Sequence, residues 1–150
     1  MVGHSGTYYN VGILPLLPPL NRTAGATSAS VDTQNYDSVA FAVNVGATGD
    51  TLSGTNRVEL QVQESDDNST FTAVANADLN NYAAGTTNTG TTQKIIANAG
   101  AAQAYLVGYK GYKRYIRGVV NVTGTHTNGT IVAVTGVRGR NHLAPVNANT

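Results

Sequence analysis

The alternation of apolar and polar residues in this 150-residue chain is that of β-strands, and no segment has the periodicity of an amphipathic helix. In residues 57–64, the apolar side chains Val58, Leu60 and Val62 occupy every second position, as in a strand with one buried face. The polar residues 65–68 follow, and residues 70–74 then return to an apolar pattern, which predicts a hairpin. A chain with this pattern folds into sheets.

The remaining predicted strands are spread along the rest of the chain. Their apolar residues fall on one face, as Val39, Phe41 and Val43 do in the first of them. Seven or eight strands of about five to nine residues predict an all-β fold, an antiparallel β-sandwich or jelly roll. The further strands are predicted at residues 38–45, 94–96, 104–109, 113–123 and 130–137.

We divide the chain into an extended N-terminal arm and connector (1–30), a β-sandwich domain (31–140) and a C-terminal tail (141–150). Three prolines between residues 15 and 19 exclude a helix and a central strand from the arm. The arm either folds back over its own domain or lies on a neighbouring subunit, and we favour the neighbour. Its candidate interface residues are Tyr8, Tyr9, Ile13, Leu14, Leu16 and Leu17.

Composition limits the classes of function. The chain has no cysteine, which excludes thiolate chemistry. Only 11% of its residues are charged, against about 25% in an ordinary soluble domain, and this suits a protein whose surface is covered by partners or a virion protein. The first ten residues lack Lys and Arg, and prolines break the apolar run that follows, so we expect neither a signal peptide nor a membrane span.

The charges are divided along the chain. All eight acidic residues lie at or before Asp78, where only two arginines oppose them, for a net charge of −6. The seven later charges are all basic, for +7. Acidic and basic strands could pair within one sheet, or a basic face could meet an acidic face on a partner.

No catalytic or cofactor site emerges from the sequence. His4, His126 and His142 have no metal-ligand spacing, and no nucleophile, base and orienting group can be assembled. The acidic residues of segment 64–68 could bind calcium, but the twelve-residue loop of a calcium site is missing. We therefore expect no enzyme, no metal and no cofactor.

Tyrosines alternate with basic residues in segment 109–117. This pattern is compatible with single-stranded nucleic acid, but the net charge is only +1, and we expect no nucleic-acid partner. Tyr and Arg are also favoured at protein interfaces. The candidate interface residues outside the arm are Lys110, Lys113, Tyr115, Arg117, Arg138 and Arg140.

Residues 62–71 (VQESDDNSTF) and 105–117 (YLVGYKGYKRYIR) together resemble small structural proteins of tailed bacteriophages that decorate or cement the capsid. Residues 142–145 (HLAP) match the short tail of such chains, and the resemblance covers about residues 31–145. It implies a β-sandwich or jelly roll, often a homotrimer, on the outer surface of the capsid. The implied partner is the major capsid protein, and no catalytic residues are implied.

From the sequence we therefore expect a decoration protein that bridges neighbouring capsid subunits. The alternative is a carbohydrate-binding β-sandwich module that attaches a virion to host or matrix glycans. The absence of Trp and an aromatic content of only 7% argue against that alternative.

Overall fold

A computed structural model of the protein describes residues 10–142. In this part of the chain, nine antiparallel strands form two sheets, which confirms the prediction of an all-β sandwich. The strands are β1 (Val11–Arg22), β2 (Ala26–Asp32), β3 (Tyr36–Thr48), β4 (Arg57–Ser65), β5 (Thr72–Ala73), β6 (Thr91–Ile95), β7 (Gln103–Tyr109), β8 (Tyr115–Thr123) and β9 (Thr130–Asn141). Sheet A has four strands in the order β1-β9-β3-β7. Sheet B has the order β2-β8-β4-β5, and β6 also pairs with β4.

The core lies between the sheets and is made of the alternating apolar residues of the central strands. Sheet A contributes Phe41 and Val134, and sheet B contributes Val58, Leu60 and Ile116, all of them buried. Most of these side chains are β-branched or aliphatic, as expected for a pleated surface that packs against another sheet. The alternation predicted in β3, β4 and β8 is confirmed by this burial pattern.

The predicted hairpin after β4 is also confirmed, and Asp67 explains its turn. One oxygen of the Asp67 carboxylate accepts hydrogen bonds from the Ser65 hydroxyl and from the backbone N–H groups of Ser69 and Thr70, at 2.7–2.8 Å. These bonds hold the pKa of Asp67 far below its usual range, and the bond from the Thr70 N–H has the largest effect. Short-range side-chain bonds of this kind fix a turn without tertiary help.

The predicted boundary of the N-terminal arm at residue 30 is wrong. Within residues 10–30 the structure has β1 at an edge of sheet A and most of β2 in sheet B. Leu16 and Leu17 lie in the protein's own core, each 8% exposed, rather than on a neighbour. Gly136 on β9 makes the room, because a Cβ there would lie 2.9 Å from Leu16 Cδ1.

The prolines agree with this corrected position of β1. The pairing of β1 with β9 is irregular between Pro15 and Leu17 and again between Leu17 and Leu20. Proline has no N–H to donate and is confined within sheets to edge strands and bulges. The prolines excluded a central strand correctly, but they did not exclude an edge strand.

At the other end of the chain, β9 runs to Asn141 and not to residue 137 as predicted. Arg138 and Arg140 are thus strand residues. Of the predicted tail, only residues 141 and 142 lie in the described part of the chain.

Candidate binding surfaces

The outward face of sheet A, which we call the outer face of sheet A, has no charged side chain over its central rows. Cross-strand pairing places Ile13 beside Val137, Val137 beside Ala40, and Ala42 beside Leu106. These partners share the face opposite the core. The members are Ile13, Pro15, Ala40, Ala42, Asn44, Ala104, Leu106, Ile131, Ala133, Thr135 and Val137.

Large apolar side chains of this face are exposed. Leu106 is 70% exposed, Ile13 59% and Ile131 46%. Three strand spacings of about 4.8 Å and six residue steps of about 3.4 Å give a surface of about 14 Å by 20 Å. Scattered apolar residues are normal on a protein surface, whereas a contiguous patch of them indicates an interaction site.

The outward face of sheet B, by contrast, is polar, and the charged side chains at its centre bond within the chain. Arg117 lies at its centre and donates two hydrogen bonds to the Gln63 side-chain oxygen, at 2.9 and 2.7 Å. The Arg117 guanidinium carbon lies 3.9 Å from the centre of the Phe71 ring. Beside it, Asn121 donates to Gln61 at 3.2 Å. This predicted interface arginine is thus already bonded within its own chain.

The charged ends of sheet B also pair within the chain. The Lys113 ammonium donates to Asp66, and this bond raises the pKa of the lysine. Arg114 donates to both oxygens of Asp32, and the hydrogen bond lowers the pKa of that carboxyl group. These acidic and basic residues therefore meet within one chain at an end of sheet B, beside the strands and not across them.

The other predicted interface residues are dispersed. Tyr115 faces outward on β8, and the guanidinium carbon of Arg114 lies 5.0 Å from the centre of the Tyr115 ring. Arg138 lies over the ring of Tyr36 at 4.3 Å. Lys110 and Arg140 are exposed. Leu14 packs partly buried against the core, and Tyr8 and Tyr9 lie outside the described residues.

A groove of about 760 Å³ lies at the end of the outer face of sheet A where the last residues of β9 meet the first residues of β1 and β3. Tyr112 stands at its rim with its side chain fully exposed. Polar side chains from the loop after β5 and from β3 line the groove together with apolar residues of the sheet. The lining includes Tyr36, Asp37, Ser38, Asn80, Asn81, Leu106, Lys110, Tyr112 and Val137.

Two polar clusters sit at sandwich ends. The Asp50 carboxylate accepts hydrogen bonds from the backbone N–H groups of Thr127, Asn128 and Gly129. These bonds lower the pKa of Asp50, and the bond from Asn128 has the largest effect. The Tyr109 hydroxyl donates to Glu64 at 2.7 Å, and burial raises the pKa of that tyrosine well above its usual range. Both clusters are explained as structural closures of turns and of the sandwich end.

Within residues 10–142 there is no group of three or more His, Cys, Asp or Glu side chains placed to hold a metal ion. The same residues contain no helix long and apolar enough to span a membrane.

Comparison with models of protein families gives no match, and comparison with curated proteins gives none either. The surfaces themselves are therefore the basis for a functional proposal.

The sequence prediction missed the outer face of sheet A. Its signal was present, because Ala40, Ala42 and Asn44 are the outward residues of a correctly predicted strand. The outward residues of β4 include Arg57 and Glu59 instead. Only the assignment of strands to sheets turns this difference into a surface.

Proposed function

We propose that the protein is a virion structural protein that decorates a capsid and stabilises it by binding neighbouring major capsid proteins. The observation that carries this proposal is the uncharged, apolar outer face of sheet A. A rigid sandwich with one such face is suited to permanent attachment, because burial of apolar surface stabilises a complex without requiring bound ligands or chemistry.

Repetition supports the same proposal. A capsid presents one surface many times, so a protein that contacts two adjacent subunits gains from multivalency even when each contact is weak. The proposed docking surface replaces the cationic flank that the sequence predicted, because Lys113 and Arg117 are bonded within their own chain. Those two residues contribute to the stability of sheet B in this account.

The test is to place one negative charge on the outer face of sheet A. In the variants Ile13→Glu and Ile131→Glu, the carboxylate would be buried without a partner when the face docks. We expect the Kd for empty shells of the same virus's major capsid protein to rise more than about tenfold. Co-sedimentation with shells, with the bound fraction measured over a range of protein concentrations, gives this Kd.

The matched control is Thr27→Glu, which places the same charge at an exposed outward position of sheet B. We expect this variant to attach as the wild type does. Circular dichroism and thermal unfolding of all three variants exclude loss of fold as the cause. Equal attachment of Ile13→Glu, Ile131→Glu and the wild type would refute the proposed docking face.

The second candidate function is glycan binding, and the groove beside Tyr112 favours it. An exposed tyrosine can stack on a sugar ring, and Asn80, Asn81 and Asp37 offer hydrogen-bonding groups around it. A glycan array probed with the wild type and with Tyr112→Ala tests this candidate. Binding that is lost in Tyr112→Ala would support it, whereas no bound glycan would reject it.

A further inference from the structure

Most edges of the two sheets carry features that prevent pairing with another strand. On β1, Pro15 and two further prolines interrupt the ladder. The register of β2 shifts between Thr27 and Ser30. On the far side of sheet B, β5 has two residues and β6 has five, with Lys94 among them. Prolines, bulges, short strands and edge lysines are the usual means of protecting a sheet edge.

Strand β7 is the exception among these edges. Its seven residues pair with β3 in one uninterrupted register, from Gln103 opposite Val45 to Tyr109 opposite Val39. The strand contains no proline, no charged residue and no bulge. A regular edge strand of this kind is a template for a further strand.

The backbone pattern shows which groups of β7 face away from β3. The carbonyl of Gly108 accepts from the Asn80 N–H, and the Lys110 N–H donates to the Asp78 carbonyl. The backbone N–H and C=O groups of even-numbered residues of β7 therefore face the outer edge, because successive residues of an antiparallel strand direct these groups to opposite sides. By this alternation Ala104 and Leu106 each present an N–H and a carbonyl to that edge, and no described residue bonds to them there.

We propose that β7 pairs with β7 of a second copy of this chain, antiparallel and about a two-fold axis. The register follows from the free groups: Ala104 lies opposite the second copy's Leu106, and Leu106 lies opposite the second copy's Ala104. This arrangement makes four backbone hydrogen bonds, two in each of these residue pairs. The carbonyl of Gly108 already accepts a hydrogen bond from the Asn80 N–H, which disfavours the register that would need this carbonyl.

A second copy is the occupant because the edge is complementary to itself. A strand without charge meets no like-charge repulsion from its own copy, and its free groups pair fully in the two-fold register. The pairing would join two copies of sheet A into one eight-stranded sheet. The exposed Leu106 side chain would then pack beside Ala104 of the other copy, and the two outer faces would become continuous.

The test uses a pair of substitutions at Ala104. Proline in Ala104→Pro removes an N–H from the outer edge and leaves the bonds to β3 intact, because residue 104 does not bond on that side. Ala104→Thr keeps the N–H and suits a strand. Sedimentation equilibrium should give a dimer for the wild type and Ala104→Thr, and a Kd for dimerisation at least about tenfold higher for Ala104→Pro.

A crosslink checks the register independently. The natural chain has no cysteine, so the double variant Ala104→Cys, Leu106→Cys should give a disulfide-linked dimer on oxidation, since facing residues of paired strands lie within disulfide reach. The control Ile131→Cys places a cysteine on the same face but far from the edge, and should not crosslink. Dimers in both crosslinking experiments would contradict the register.

Two results would overturn the proposal. One is a wild-type mass of a single chain up to the highest soluble concentration. The other is a trimer, as the capsid-protein resemblance implies, since a strand that pairs with itself closes at two copies. Neither result bears on shell attachment, which is measured with the Ile13→Glu and Ile131→Glu variants.

Discussion

The two outward faces of the sandwich are built from similar strands but differ in what their side chains leave unsatisfied. On sheet B, Arg117 has Gln63 and Phe71, and Lys113 has Asp66. On sheet A, the side chains are mainly alanine, isoleucine, leucine and valine, with Pro15, Asn44 and Thr135 among them, and the large apolar ones are left exposed by the described residues. The central polar side chains of sheet B are thus bonded within the monomer, whereas the apolar face of sheet A would be stabilised by a partner that covers it.

This difference contradicts the usual inference that a run of basic and aromatic residues marks an interface. On that inference the sequence predicted an interface on β8. In the folded protein such residues can bond to each other, and a bonded pair gives little further energy to a partner. The less conspicuous surface of small and aliphatic residues is then the stronger candidate for docking.

The largest expected effect tests whether β1 packs against the core of its own chain. Leu16→Ala removes a buried side chain that fills the space over Gly136. We expect the free energy of unfolding to fall by about 2–5 kcal/mol, measured by urea denaturation. Leu20→Ala on the same strand, where the side chain is 53% exposed, should change it by no more than about 0.5 kcal/mol.

If both substitutions changed the free energy of unfolding by the same small amount, residues 11–22 would be an extended arm and not a strand of sheet A. In that case Leu16 would contact a neighbour, and its substitution would weaken assembly instead of folding. Shell co-sedimentation of both variants separates the two outcomes.

The next effect concerns the centre of the polar face. Arg117→Ala loses the stacking on Phe71 and the two hydrogen bonds to Gln63. We expect a loss of about 1–2 kcal/mol in the free energy of unfolding, with unchanged attachment to shells. Arg117→Lys keeps the charge but not the planar fork, so an equal loss of stability is expected there. Weaker attachment at unchanged stability would move the docking surface to sheet B.

The strands of the sandwich were predictable where one face is buried, because burial imposes the two-residue period on the sequence. This holds for Val39, Phe41, Val43 and Val45 on β3 and for Val58, Leu60 and Val62 on β4. The turn at Asp67 was predictable for a different reason, since its bonds span at most three residues. Short-range hydrogen bonds and the periodicity of buried residues can therefore be predicted without knowledge of the fold.

The edge strands and surfaces were not predictable in the same way. The prolines of β1 are acceptable only because that strand has one neighbour, and this depends on the long-range pairing with β9. The partners of Lys113 and Arg114 lie 47 and 82 residues away along the chain. Whether a charge is free or bonded is therefore a property of topology, which the order of residues does not show.

A smaller effect, dependent on pH, concerns the turn that carries the chain from β8 in sheet B to β9 in sheet A. Backbone N–H groups lower the pKa of Asp50 from its ordinary 3.8, so its ionised form stabilises the fold above that pH. The contribution is lost as the pH falls through the lowered pKa of the folded state. The urea midpoint of Asp50→Asn should lie below that of the wild type at pH 7, and the gap should narrow as the pH falls below 3.8. A gap of constant size at all pH values would show that the charge of Asp50 is irrelevant.

The smallest effect is expected from Lys113→Glu, which reverses the cation of an exposed ion pair with Asp66. Exposed pairs stabilise a fold weakly and are screened by salt, so a small loss of stability at low salt should disappear at high salt. Attachment to shells should stay at the wild-type level at every salt concentration, because the outer face of sheet A is unchanged. Salt-dependent loss of attachment would instead show that the basic flank of sheet B meets an acidic surface on the capsid, and the polar face would then be an interface despite its internal bonds.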